Sequence, residues 1–113
     1  MSTTGRLRLT IIEAKLKRDT DFFSKMDPFC KIVCRDQTFK TKVMQNAGKT
    51  PKWNETIEIA VKYIGDDLHI EIYDEDVTTS DLICSTVIKI SALCMNGGMD
   101  DWFECQFKGK NCG

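Results

Sequence analysis

The chain has 113 residues, 42% apolar and 29% charged, with a net charge of −1. That size buries a core without staples, and one domain spanning residues 1–113 is expected. No charged-then-apolar leader and no long apolar run is present, so a cytosolic protein that neither enters the secretory route nor spans a membrane is expected.

Taken in chain order, the elements follow a period of two. RLRLTI alternates, with Leu7, Leu9 and Ile11 on one face. A polar segment, DTDFFSKMDPF (Asp19 to Phe29), then leads into PFCKIVCRD and the alternating QTFKTKV. After the turn residues NAGKTP, WNETIEIAV points Ile57, Ile59 and Val61 inward. YIGDD separates it from LHIEIY, with Leu68, Ile70 and Ile72 inward and His69 outward. LICSTVIKI and DWFECQF complete seven predicted strands, and SALCMNGG is the one predicted helical turn. Short alternating strands in a single domain predict an all-β antiparallel sandwich of two facing sheets.

Six cysteines are spread along the chain without a CxxC pair, so a zinc site is not expected. Cys30 and Cys34 share parity with Ile32, and Cys105 with Phe103 and Phe107, which predicts reduced core thiols acting as small hydrophobes. No GxSxG, HExxH or phosphate-cradling glycine loop occurs, and His69 has no nucleophile partner in view. A binding module is expected, not an enzyme.

Charge is unevenly placed. Lys31, Arg35, Lys40, Lys42, Lys49 and Lys52 share their span with one acid, Asp36, whereas Asp66 to Asp81 holds seven acids and no Lys or Arg. An acidic pole beside a basic face suggests a cation on one and an anionic surface on the other. YDEDVTTSD, Tyr73 to Asp81, sits on the loop between two predicted strands. Oxygen ligands on such a loop suit a hard cation, calcium above all. An EF-hand is excluded: counting from Asp74, position six is Thr79, position twelve is Ser85, and strands flank the loop. One loop supplies too few carboxylates, and Asp21 and Asp27 in the first polar segment are the second source.

With these residues in place, the chain resembles a C2 domain, the calcium-dependent lipid-binding module of protein kinase C and synaptotagmin, in the style of small single-domain plant and protist forms. The resemblance rests on LTIIEAKL, an Asp six residues before DPF, TPKWNE, IEIYDED, an Asp before an apolar pair, and DWFECQFKGK. It implies that Asp21 and Asp27 in loop one and Asp74, Asp76 and Asp81 in loop three ligate Ca²⁺, with the backbone carbonyls of Thr20 and Glu75. Cys84 and Ser24 stand where the family often has Gly, and the third loop is a residue shorter than in protein kinase C, all expected to reshape the loops.

The implied function is calcium-dependent binding to anionic phospholipid membranes, with a calcium-independent protein-interaction or scaffold module as the alternative. Lys31, Lys40 and Lys42 resemble the family's phosphoinositide-binding face, Lys40 and Lys42 lying two apart on one strand. Phe22 and Phe23 are candidate lipid contacts, or pack on the domain, and Trp53 is expected to lock the second loop. No nucleic-acid partner is expected. The order of elements implies the circularly permuted, type II arrangement, whose eighth strand comes last and lies beside the first. The chain stops at KGKNCG after the seventh, so an open edge along Arg6 to Glu13 is expected, available to a protein partner.

Overall fold

The computed structural model describes residues 5–19, 25–76, 79–94 and 100–113. The alternating segments form β1 (Gly5–Glu13), β2 (Pro28–Cys34), β3 (Gln37–Lys40), β4 (Lys52–Val61), β5 (Asp67–Glu75) and β6 (Ser80–Lys89). A one-turn helix α1 (Ile90–Leu93) and the short strands β7 (Gln106–Phe107) and β8 (Lys110–Asn111) follow. β1 and β4 make one antiparallel sheet, and β3-β2-β5-β6-β7-β8 make the other. The predicted all-β sandwich is therefore the observed one.

The core lies between the two sheets, where the inward sets meet. Ile32, Ile59, Leu68 and Ile83 are fully buried, and Cys30, Cys34, Cys84 and Cys105 are buried among them as free thiols. A β-branched or leucine side chain withdrawn to this extent contributes about 1.5–3 kcal/mol each. His69 faces outward as expected. Gln37 ties the sheets at one flank: its side chain donates to the Ala60 carbonyl (2.7 Å) and accepts from the Ala60 N–H (3.1 Å). That ties β4 to β3 across the two sheets.

Three expectations need correction. QTFKTKV is only half strand, because the chain turns at Thr41, whose buried hydroxyl accepts from the Cys30 N–H at 2.8 Å and whose N–H donates to the Cys30 carbonyl at 2.9 Å. Lys42 therefore lies beyond β3 and does not share a strand face with Lys40. DWFECQF is strand only at Gln106–Phe107, and Trp102 and Phe103 are exposed, not core. Among the described residues there are eight strands where about seven are expected, because the C-terminal residues fold back as the two-residue β8. That strand pairs with β7, and among the described residues nothing pairs with the outer edge of β1.

Candidate metal-binding pole and its basic flank

Two segments bring acidic residues to one end of the sandwich. Asp27 immediately precedes β2, and Pro28 pairs with Asp74 across the β2–β5 ladder. The Asp27 N–H donates to Asp74 Oδ1 at 2.8 Å, and the Glu75 N–H returns a bond of 3.0 Å to the Asp27 carbonyl. Asp74 is withdrawn from solvent to 2% exposure, which a carboxylate tolerates only with such partners. Asp27 Oδ1 accepts from the Asn46 N–H at 2.7 Å, tying the loop before β2 to the NAGKTP turn. Trp53 is buried, and its indole N–H donates to the Pro28 carbonyl at 3.3 Å, which ties β4 to the start of β2.

Asp81 arrives by a different device. Ile72 pairs with Cys84, yet Tyr73 pairs with Leu82, so Ile83 is an extra residue in β6. This bulge shifts the register by one and sets Asp81 opposite Asp74, where a regular ladder would put Leu82. Directly opposed residues share a face. Asp76 lies just after β5, its N–H donating to the Thr79 carbonyl at 2.8 Å across the loop. Cys84, treated in the sequence as a loop departure, is inside β6 and fully buried, so it does not shape the loop directly.

Asp27, Asp74, Asp76 and Asp81 thus share one end. Asp21, Phe22, Phe23, Ser24 and the Thr20 carbonyl lie outside the described residues. Among the described residues no three His, Cys, Asp or Glu side chains form a group that could hold a metal ion. The donor chemistry here is all oxygen, which fits a hard cation with six to eight ligands and no soft metal. Residues beyond the described set would have to complete it.

The basic flank differs from its sequence picture. Lys31 pairs with Lys40 on one side and Glu71 on the other. Lys40 Nζ lies 3.4 Å from Glu75 Oε1 and 4.2 Å from the centroid of the Phe29 ring, itself stacked on Tyr73 at 5.5 Å. Lys40 therefore meets an acid of β5 and Lys31 stands in register with another, which lowers the positive field of this face. Those acids follow from strand pairing, which alternation alone does not reveal.

The family model for the C2 domain matches residues 5–105. The 16 kDa phloem protein 2 of Arabidopsis thaliana is 39% identical over 77 residues, covering 68% of this chain and 52% of that one. Elicitor-responsive protein 3 of Oryza sativa subsp. japonica is 31% identical, over 84% of this chain and 67% of its own length. The chain thus spans about half the length of the first relative and two thirds of the second. A solved structure of the paired C2 domains of extended synaptotagmin 2, with calcium bound, superposes with a TM-score of 0.85 at 29% identity, covering 99% of this chain and 44% of that one. A C2 domain-containing protein from a putative elicitor-responsive gene gives 0.82 at 30% identity, covering 100% and 85%.

Proposed function

From the premise that this chain belongs to the C2 domain family, we propose that it is a calcium-dependent peripheral membrane-binding module for anionic phospholipid. The observation that carries the reading is the register shift at Ile83, which places Asp81 against Asp74 at the end already holding Asp27 and Asp76. Gathering like charges there is unfavourable unless a cation is admitted. The calcium-bound relative supports the same reading.

In this reading Asp21, Asp27, Asp74, Asp76 and Asp81, with the carbonyls of Thr20 and Glu75, hold Ca²⁺. Bound calcium supplies positive charge and open coordination positions for lipid phosphate or carboxylate oxygens. The residues of the chain do the rest. The gathered carboxylates repel an anionic membrane, which keeps the domain in the cytoplasm at low calcium. The bonds from Asp27 to Asp74 and from Asn46 to Asp27 hold the carboxylates in place beforehand. Lys42, exposed, with its backbone N–H on the Glu55 carboxylate at 2.7 Å and its ammonium in no ion pair among the described residues, adds attraction to anionic headgroups, phosphoinositides among them. Phe22 and Phe23 enter the interface.

Sedimentation with phosphatidylserine vesicles in Ca²⁺ and in EGTA tests this, using the wild type and Asp76→Asn. Calcium-dependent pelleting that the substitution abolishes is the expected result. Equal pelleting under both conditions, or none, would overturn it. The second reading, a calcium-indifferent protein-interaction or scaffold module, is favoured by the pairing of Lys31 and Lys40 with acids of β5.

A further inference from the structure

The turn between β7 and β8 carries a second basic surface. Lys108 (φ 51°) and Gly109 (φ 80°) are both left-handed, and they close a two-residue hairpin between Phe107 and Lys110. Asn-Gly is the usual pair for such a turn, so Lys108 brings a charge to a position that ordinarily takes a short side chain. Lys110 stands opposite Phe107 and shares its face. Lys108 Nζ lies 5.4 Å from the centroid of the Phe107 ring, and Arg18 Cζ lies 3.7 Å from it. The Lys17 N–H donates to the Cys112 carbonyl at 2.7 Å, which holds the segment carrying Arg18 against the hairpin. One ring thus gathers cations from two distant stretches of chain.

Little offsets that charge. Cys105 to Gly113 holds no acid, and Lys15 to Asp19 holds three cations and one acid. Arg18, Lys108 and Lys110 take part in no ion pair among the described residues. The Arg18 Nε is withdrawn from solvent and has no hydrogen-bond partner among the described residues. A buried donor left unmet is destabilising, and an oxyanion at the guanidinium edge removes the defect.

The hairpin also lies at a telling place. β7 runs antiparallel to β6 with Gln106 opposite Ser85, so Phe107 and the turn point toward the Ser80 end of β6. That is the end where Asp81 faces Asp74. In the order β3-β2-β5-β6-β7-β8, Asp74 and Asp81 belong to the central strands, with Lys40 on the β3 edge and the hairpin at the other. The acidic pole therefore has a cationic flank on each side.

We propose that Arg18, Lys108 and Lys110, arrayed around Phe107, form a headgroup site for anionic phospholipid on the flank opposite Lys40. The proposal rests on the reading that the acidic pole faces a membrane. The charge arrangement fits a flat anionic surface: β3 and β7 are separated by four strand spacings, roughly 20 Å, and a bilayer reaches both flanks at once. That separation exceeds the screening length of about 8 Å at physiological salt, so each flank contributes independently. Arg18 supplies the planar fork that holds phosphate oxygens, and the two lysines add point charges beside it.

Sedimentation with vesicles of equal parts phosphatidylserine and phosphatidylcholine tests the site. Lys108→Gln with Lys110→Gln should weaken calcium-dependent pelleting by roughly fivefold for each lysine, with calcium affinity in the absence of vesicles unchanged. Arg18→Lys keeps the charge but loses the fork, and should weaken pelleting roughly two- to fivefold, the loss of about one hydrogen bond. In EGTA at low salt the wild type should keep weak pelleting that the paired glutamine variant loses. Calcium-dependent pelleting that the paired variant leaves unchanged overturns this site while leaving the membrane reading intact. If wild-type pelleting does not depend on calcium, that reading fails, and the EGTA arm decides alone: pelleting lost in the paired variant upholds the site, and pelleting unaffected or absent overturns it. Full affinity in Arg18→Lys would leave only diffuse charge, and equally overturn a headgroup site. Binding of poly-glutamate that the paired variant abolishes, with vesicle binding unaffected, would give the cluster to an acidic protein and overturn it too.

Discussion

Asp81 stands opposite Asp74 because Ile83 is an extra residue in β6, two residues along the strand from Asp81. Remove that shift and the residue facing Asp74 becomes Leu82 instead of an acid. Two opposed carboxylates in adjacent strands destabilise the ladder that holds them. Asp81→Asn should therefore raise stability in EGTA by about 0.2–1 kcal/mol while weakening calcium binding. Urea unfolding of both proteins in EGTA and in Ca²⁺ measures the trade. A variant less stable than wild type in EGTA would show that the opposition is not a net repulsion.

Asp74 has a second task that needs no metal. Its Oδ1 satisfies the Asp27 N–H at 2.8 Å, in a position withdrawn from solvent. Asp74→Ala should lose about 1–3 kcal/mol of stability in EGTA, as a part-buried N–H loses its acceptor. Asp74→Asn keeps an acceptor oxygen and should lose under about 1 kcal/mol. The pair separates the structural bond from the charge, and equal losses would contradict the assignment.

Much of this was legible from the chain. The sets Leu68, Ile70, Ile72 and Ile57, Ile59, Val61 alternate cleanly because each strand has one face on the core, and the acidic residues of the third loop were visible as a cluster. The rest depends on pairing between distant segments. Nothing in LICSTVIKI marks Ile83 as the extra residue, since both Ile83 and Cys84 are apolar enough for the core. The acids beside Lys31 and Lys40 come from β5, some 40 and 35 residues along the chain. QTFKTKV keeps its alternation past Lys40, but the Thr41 hydroxyl captures the Cys30 N–H and ends the strand. DWFECQF alternates too loosely to reveal that Trp102 and Phe103 leave the sheet, Trp102 at 59% exposure with Lys15 Nζ 5.0 Å from its ring centroid.

The basic flank makes a narrower prediction than charge counting does. Lys40→Glu also strips Glu75 of its partner beside the acidic pole, so it perturbs calcium and lipid binding together. Lys42→Glu is the cleaner probe. It should weaken binding to phosphoinositide-containing vesicles by about tenfold or less, on the scale of roughly 1 kcal/mol for each basic group at an anionic surface. Calcium affinity without vesicles should stay unchanged. Unaltered vesicle binding would reduce this residue to solvated surface.

The thiols order themselves by environment. Burial pushes the Cys30 thiol well above its ordinary range, and the hydrogen bond with Cys105, then burial, do the same to Cys84. Thiolate, the reacting species, is therefore scarce at both, while Cys94 is exposed. Iodoacetamide at pH 8 followed by peptide mass mapping should label Cys94 first, with Cys30 and Cys84 labelled only after denaturation. Early labelling of Cys30 would mean that the core between the sheets opens readily.

The central claim is that the acidic pole couples calcium to membrane. Calorimetric titration with Ca²⁺, with and without phosphatidylserine vesicles, tests it most directly. Linkage requires each ligand to tighten the other equally, and coupling of this kind is about five- to 150-fold. The account predicts saturable calcium binding that tightens within that range when vesicles are present and is lost in Asp76→Asn. Calcium heats identical with and without vesicles, or no calcium binding under either condition, would contradict it.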